Sequence, residues 1–560
     1  MSEPEQLDDQ GGAASDAATV EEDLVYEPTP PALRSGRKSE GPEIVIVFVA
    51  PIGTDLDPVL QAFKESLGTV AYTSGDPIRM SKLLAGSDVD EIIELARKAG
   101  RLSTESESEG LLNSEHKRLM DRGDSYRRAL GDGAALAMRV IGKIRFERKQ
   151  VTGAYEVERS RHAILVRTAK HPAEVRLLRS AYGDRLVVVA VASPREERRR
   201  LVLAQLSRDF PDHKQWELDG HARYLLDRDE KDADVDLGQR VRDSFALADV
   251  FLNIHPGAPV NEKVRRIVEL LFGRPFHTPT RDEYGMYHAA AAAHRSSAAG
   301  RQVGAAAVDP DGELLVTGCN DVPKPGGGQY WPDDKPDYRD FVLGYDANDR
   351  MKYEIVADLL DRLQKADWLS PDRSGSAPAL AREALEQEEG VRGPLSGSRV
   401  DDLLEFGRIV HAEMAVITTA ARRGTPLGKA VLYTTTYPCH ECARLIIAAG
   451  IRRVVFVDPY PKSQVPELFG YQVANDGEDD PGPDLIPFQP FEGIAPTVYQ
   501  RLFTISGRAK RADGSYKPWQ PDQASFVLLT QTFVDEVITK EGAVLNQQKE
   551  AVDALRAMAP

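Results

Sequence analysis

Residues 411–458 read HAEMAVITTAARRGTPLGKAVLYTTTYPCHECARLIIAAGIRRVVFVD. With residues 408–410 included, RIVHAEMAVITTAARR has helical spacing, KAVLYTTTYPC reads as a strand, CARLIIAAG as a helix ending at Gly450, and RRVVFVD as a second strand. That alternation is the grammar of an α/β layer. The same stretch carries His411, Glu413, Cys439 and Cys442. One imidazole and two thiolates are three protein ligands of a tetrahedral zinc with an open fourth position, the composition of a catalytic rather than a closed structural site. Pro438 precedes a run of helix-forming character, so Cys439 and Cys442 fall one turn apart at a helix N-terminus, where the dipole favours thiolates. His411 and Glu413, two residues apart, meet at a common centre only from the first turn of their helix. Two other readings stay open: a Cys-x-x-Cys redox pair, which would not need the spaced His-x-Glu, and a structural zinc site with a distant fourth ligand. His440 is an alternative ligand that points badly if both thiols bind.

Upstream, this α/β unit begins near Arg281. YHAAAAAHRSSAAG reads as an alanine-rich helix and RQVGAAAVDPDGELLVTGC as a strand hairpin around a DPDG turn. A long insertion, about 323–400, follows the hairpin. Its first part, GGGQYWPDDKPDYRDF, carries too many aromatics for a linker, whereas SPDRSGSAPALAREALEQEEGVRGPLSGSR is polar and reads as mobile. Downstream come IPFQPFEGIAPTVYQRLF and ASFVLLTQTF, and helical periodicity then runs to the end, with 541–560 as a helix or tail.

In the N-terminal half, EIVIVFVA at 43–50 is a continuous β-branched run of the kind buried on both faces of a parallel sheet. It is followed by the turn PIGTD and by PVLQAFKESL with helical spacing. RHAILVRT, RLVVVAVA with the charged helix PREERRRLVLAQL, and ALADVFLNI repeat the pattern, which predicts an open α/β domain over 43–275. Residues 1–42 mix acidic, small and proline residues with few large apolar ones and read as a disordered tail.

The 560 residues exceed what one core organises, so more than one domain is expected. Lys plus Arg number 71 against 88 Asp plus Glu, a formal charge of −17, which counts against a protein whose main task is gripping a nucleic-acid backbone. No run reaches membrane-span length and no basic, apolar leader opens the chain, so a cytoplasmic location away from membranes is expected. Cys319, Cys439 and Cys442 are too few for a disulfide framework. Cys319 is most simply a small buried residue.

The pair H-x-E and P-C-x-x-C, here His411-Ala412-Glu413 and Pro438-Cys439-His440-Glu441-Cys442, is the signature of the zinc deaminases. Residues 281–463 resemble the deoxycytidylate deaminase branch of the cytidine deaminase superfamily through RQVGAAAVDPDGELLVTGCND, HAEMAVITTAARRG, TTTYPCHECARLIIAAGI and VVFVDPYPKS. The whole chain resembles the bacterial anti-phage dCTP deaminases, which carry a kinase-like domain in front. The fold implied is an N-terminal P-loop kinase-like open parallel sheet followed by a cytidine deaminase-like α/β/α sandwich over 281–540.

The resemblance implies a zinc cofactor on His411, Cys439 and Cys442, and hydrolytic deamination of dCTP, dCMP or both to the deoxyuridine nucleotide and ammonia. It makes Glu413 the proton carrier, and a backbone amide with the wall at Ala412 the holder of the pyrimidine. It places Asn320 where the family has a sugar-contacting Asn, although turn chemistry explains Asn320 equally well. Arg295, Arg301 and Lys324 lie near the expected mouth, and the glycines at 326–328 would let a backbone approach a triphosphate, each reading competing with plain surface or turn. Tyr330, Trp331, Arg339 and Asp340 suit either a lid or a small satellite core, and Lys462 and Ser463 are further candidates.

In the front domain, HPAEVRLLRSAYGDRLVVVAVASPREERRRLVL and LADVFLNI resemble nucleoside-monophosphate kinases. Arg228, Asp229, Glu230 and Gln239 match the place of their lid residues. If Gly53 closes G-x-x-x-x-G-K-[ST], Phe48 stands at the first glycine, Thr54 at the lysine and Asp55 at the Ser/Thr. Gly53, Thr54 and Asp55 are therefore candidates for a degenerate nucleotide-binding loop that binds a nucleotide or regulator, or only supports the other domain, rather than for phosphoryl transfer. Two alternatives accompany the deaminase reading: a nucleic-acid editor acting on a flipped base, and a sensor regulated by a nucleotide or small RNA with the deaminase as output. A homo-oligomer is also expected.

Overall fold

The computed structural model describes residues 41–102, 112–230, 232, 237–370, 375–385, 387–388, 391–401, 403, 405–458, 463–475, 482, 484–505, 509–529 and 534–559. The expected tail falls almost wholly outside these. The chain divides into two compact units, residues 1–278 with 497–560, and residues 279–496.

In the first unit the apolar run at 43–50 becomes β1 (Ile44–Val49), every residue of which is buried. It lies central because a run apolar on both sides needs cover on both sides. β2 (Thr73–Ser74), β3 (Ile78–Arg79), β4 (His162–Ala169), β5 (Leu186–Ala192) and β6 (Val250–Asn253) complete the set. The order β6-β5-β1-β4-β2 is parallel throughout, with β3 also on β4. The helices are α1 (Asp57–Thr69), α2 (Ser87–Lys98), α3 (Glu115–Leu130), α4 (Ala135–Thr152), α5 (Pro172–Tyr182), α6 (Arg195–Asp209), α7 (Gln215–Glu230), α8 (Val241–Phe245) and α9 (Val260–Leu271).

The second unit opens with α10 (Arg281–Ala293). Its Thr280–Glu283 capping box starts it six residues before the predicted alanine run, and the predicted end at 300 is not reached. Ser296 and Ser297 instead bond to Asn320 O and Asp321 Oδ1. β7 (Gly304–Val308) and β8 (Leu314–Cys319) form the expected hairpin, with Asp309 Oδ1 accepting from the Asp311, Gly312 and Glu313 amides. The insertion holds more structure than its composition suggested: α11 (Asp340–Leu343), α12 (Ala347–Lys365), α13 (Ala377–Leu385) and the hairpin of β9 (Gln387–Glu388) and β10 (Val391–Arg392). α12 has the support of Asp346, whose side chain caps it, and of four i,i+3 or i,i+4 ion pairs. Then come α14 (Ala412–Arg423), β11 (Val431–Thr436), α15 (His440–Ala448), β12 (Arg453–Asp458), α16 (Val465–Phe469), β13 (Val473–Ala474) and β14 (Ile486–Pro490). The sheet runs β13-β14-β12-β11-β7-β8, parallel from β13 to β11 and antiparallel through β7 and β8. Its core gathers Ala305, Ala412, Val416, Leu432, Cys442 and Phe488.

The expectation that 281–540 forms one domain is corrected at its end. α17 (Pro496–Phe503) begins at the boundary, and residues 497–560, including α18 (Val534–Met558), belong to the first unit. Glu541 of α18, fully buried, accepts from Arg148 Nη1 at 2.7 Å and Nη2 at 2.9 Å, and Arg148 also reaches Glu43 before β1. Among the described residues no helix is long and apolar enough to cross a membrane.

Candidate active site

His411 is not inside a helix but is the N-cap of α14, with φ −65° and ψ 157°, so the predicted helix start at 408 shifts to 412. The cause is upstream: Val410 exchanges backbone hydrogen bonds with Asp321 at 3.0 and 3.3 Å, which keeps the chain extended up to His411. Cys439 likewise caps α15, and Cys442 is its third residue. Close approach makes the arrangement: a Cβ on Gly318 of β8 would lie 2.7 Å from Ala412 O and 2.9 Å from Val416 N.

His411 Nδ1 stands 3.3 Å from Cys439 Sγ and 3.4 Å from Cys442 Sγ, and the three donor atoms lie within 4.8 Å of one another. Zinc with Zn–N and Zn–S bonds of about 2.0 and 2.3 Å sets N···S separations of about 3.5 Å in tetrahedral geometry, so the donors fit zinc in both chemistry and spacing. His440 is not among them; its Nδ1 is buried without a partner among the described residues. Hydrogen bonding with Cys442, then with the His411 imidazole, favours the thiolate of Cys439 and holds it at about 4 against the burial that pushes it up. Glu413 is 4% exposed. It accepts from Thr434 Oγ1 at 2.9 Å on Oε1 and from Cys442 Sγ at 3.3 Å on Oε2. Burial raises its pKa, although Thr434 favours the anion.

The sequence did not single out Thr434 or Thr436, although their i,i+2 spacing on β11 puts them on one face of a buried strand. Thr434 orients Glu413, and Thr436 Oγ1 is buried with no partner among the described residues.

Ala412 is fully buried beside the donors. Asn320 takes the turn role: its Oδ1 accepts from Val303 N at 2.7 Å and its Nδ2 donates to Arg301 O at 2.7 Å. Arg295 and Trp331 do meet, the guanidinium 4.0 Å from the ring centroid, with Gln329 Oε1 accepting from Arg295 at 2.8 Å. Arg301 pairs with Asp458, Lys324 with Asp334 at 2.7 Å, and Arg339 with Asp337 at 2.7 Å, so these three expected phosphate contacts already have internal partners. Lys462 lies outside the described residues; Ser463 donates to Pro438 O at 2.8 Å, just before Cys439. In the first unit, Gly53 has φ +80°, Thr54 N donates to Pro51 O at 3.2 Å, and Asp55 Oδ1 accepts from Asp57 N at 3.2 Å. The amide beside them, Ile52 N, donates to the Asp229 carboxylate rather than facing open space.

Residues 279–458 match the model of the cytidine and deoxycytidylate deaminase zinc-binding region, which places the stretch among zinc-binding regions of that class. Individual relatives narrow the likeness. The chain is 38% identical over 55 residues to the deoxycytidylate deaminase of Enterobacteria phage T4, covering 10% of this chain and 28% of that protein. It is 42% identical over 61 residues to ComE operon protein 2 of Bacillus subtilis, covering 11% and 31%, and 37% identical over 60 residues to human deoxycytidylate deaminase, covering 10% and 33%. The chain thus spans about a third or less of the length of these curated relatives. Among solved structures, the dCMP deaminase of cyanophage S-TIM5 in complex with dCMP and dUMP aligns at 15% identity and a TM-score of 0.21, covering 38% of this chain and 98% of that one.

Proposed function

We propose that the second unit hydrolyses the 4-amino group from the cytosine of a deoxycytidine nucleotide, dCTP, dCMP or both, releasing ammonia. The observation that carries the reading is the convergence of His411 Nδ1 and the Cys439 and Cys442 thiols beside the buried Glu413 carboxyl. His411, Cys439 and Cys442 would hold zinc, which when bound would supply the Lewis acidity that makes water reactive near neutral pH. Glu413 takes one proton of the attacking water and delivers it to N3 as the C4–O bond forms, then takes the proton of the new C4 hydroxyl and passes it to the amine, so that the C4–N bond breaks, ammonia leaves and C4=O remains. Thr434 fixes the face that the carboxyl presents. Substrate phosphates compete with Asp334, Asp337 and Asp458 for Lys324, Arg339 and Arg301.

The purified chain, incubated with dCMP, dCTP, CMP, CTP and a single-stranded oligonucleotide, is expected to deaminate a free deoxynucleotide. Conversion of the oligonucleotide alone would replace this reading with nucleic-acid editing. Glu413→Ala is expected to lose turnover by at least about 10²-fold while retaining zinc; an active variant refutes the assignment. We further read the activity as depletion of the dCTP pool during phage infection. The whole-chain resemblance to anti-phage dCTP deaminases supports this, and an unchanged dCTP level in infected cells expressing the active chain would exclude it.

A further inference from the structure

Between α17 and α18 the chain of the first unit turns back on itself in a short basic hairpin, AKRADGSYK at 509–517. Lys517 N donates to Ala509 O and Arg511 N to Ser515 O, both at 2.8 Å, and Gly514 N closes the turn on Arg511 O at 3.1 Å. Lys510, Arg511 and Lys517 are all exposed, and none has an acidic partner among the described residues. Arg511 Nη1 donates to Ser515 Oγ at 3.3 Å and Tyr516 O at 3.4 Å, and the Lys510 ammonium lies 5.7 Å from the Tyr516 ring centroid. The hairpin is anchored at its base: Tyr516 meets Phe276 edge-on at 5.0 Å, and Arg274 lies 5.7 Å from the Trp519 ring centroid. Ala509, Lys510, Arg511, Ala512 and Tyr516 line an open concavity. Two cations beside alanine methyls and an aromatic ring fit an acidic segment with apolar side chains set between its charges.

The chain carries such a segment. Residues 1–33 hold nine acidic residues and no Lys or Arg, and within them Glu21-Glu22-Asp23-Leu24-Val25-Tyr26-Glu27 sets three apolar side chains among four carboxylates. The segment lies outside the described residues, but the chain that leads from it enters the first unit next to the hairpin's own stretch of backbone. Gly41 O accepts from Arg161 N at 2.8 Å, and Arg161 Nη2 donates to Ala524 O at 3.2 Å, a few residues past Lys517. Glu27 is about fourteen residues from Gly41, enough to span up to about 50 Å when extended. A tether of that length holds its end at an effective concentration on the order of 1 mM, so a contact too weak to join two separate molecules is populated within one chain. We propose that residues 21–27 dock in cis on the 509–517 hairpin, their carboxylates meeting Lys510, Arg511 and Lys517, and Leu24 or Tyr26 entering the concavity beside Tyr516. The inference stands apart from the chemistry proposed for the second unit, since the hairpin belongs to the first.

Carbodiimide cross-linking of the full chain, which joins a carboxylate to a lysine amine only where the two touch, tests the docking when the products are read by peptide mass spectrometry. The carboxylates of residues 21–27 are expected to couple to Lys510 and Lys517 at least about fivefold more than to Lys82 and Lys98, two other exposed lysines of the same unit. That yield is expected to fall at least about threefold in about 0.5 M sodium chloride. Leu24→Ser/Tyr26→Ser, which alters no described residue, is expected to lower it at least about threefold by removing the apolar anchors. Coupling spread evenly over the exposed lysines overturns the proposal, as does a yield indifferent to salt or to that variant. In an equal mixture of light-isotope and heavy-isotope chains the cross-links are expected within one isotope; mixed pairs in statistical proportion would assign the segment to a second copy and overturn docking in cis. A hairpin that retains nucleic acid through purification and shows no coupling to residues 21–27 would belong to that partner, and also overturns it.

Discussion

The reaction proposed for Glu413 needs its carboxyl in one orientation, and the Thr434 hydroxyl on Oε1 is one of the two bonds, with the Cys442 thiol on Oε2, that hold it. Thr434→Val removes the bond to Oε1 without changing side-chain volume much, so turnover is expected to fall about tenfold, on the scale of about 1.5 kcal/mol for a hydrogen bond to a charged group. KM and zinc content should hold; loss of zinc instead would show that Thr434 supports the fold and not the carboxyl. A second residue-scale effect lies far from this site. His171 caps α5, its Nδ1 accepting from Ala173 N at 3.2 Å, and burial, then Arg127 and Arg240, hold the imidazole at about 4. Because the folded pKa lies below that of the free side chain, the unfolded chain takes up a proton that the native state refuses. The contribution is complete above about pH 6.5 and is lost as pH falls toward 4, with His162 shifted the same way by burial. Urea unfolding at pH 7, 6 and 5 should show a shallower loss in His171→Asn, which keeps a cap; identical slopes would remove His171 from the account.

At the scale of elements, the site depends on where two helices begin. The extended residues before α14 and α15 place His411 and Cys439 at N-caps, and each start is set by a neighbour: the Val410–Asp321 bridge for one, the Ser463 hydroxyl on Pro438 O for the other. Gly318 is where β8 admits α14. Gly318→Ala would force the backbone at Ala412 and Val416 outward and carry His411 and Glu413 with it. Zinc affinity is expected to fall at least about tenfold, measured by chelator competition, with activity falling in step; unaltered affinity would mean that the helix start tolerates the shift. The periodicity of residues 408–423 marked this helix but not its first residue, because an isolated backbone bridge to Asp321, about ninety residues earlier, is invisible in local spacing.

For the whole molecule, the far end of the chain closes the first unit. Glu541 and Arg148 are 393 residues apart and fully paired, and Arg148 with Arg159 outweighs the burial that would raise Glu43, holding that carboxyl low. Glu541→Ala leaves a buried guanidinium short of its main partner and is expected to cost about 3–5 kcal/mol in denaturant unfolding, whereas a loss below about 1 kcal/mol would mean that the pair is solvated in solution. Much of the molecule was legible beforehand. The convergence of His411, Cys439 and Cys442 with Glu413 beside them was expected from residue type and spacing, and β1, β4 and β5 announce themselves as apolar runs, because local composition decides both donor capacity and burial. Thr434, the partners that occupy Arg295, Lys324 and Arg339, and the assignment of residues 497–560 were decided only in three dimensions. Each of these rests on a hydrogen bond or ion pair whose partner is fixed by packing rather than by neighbouring sequence.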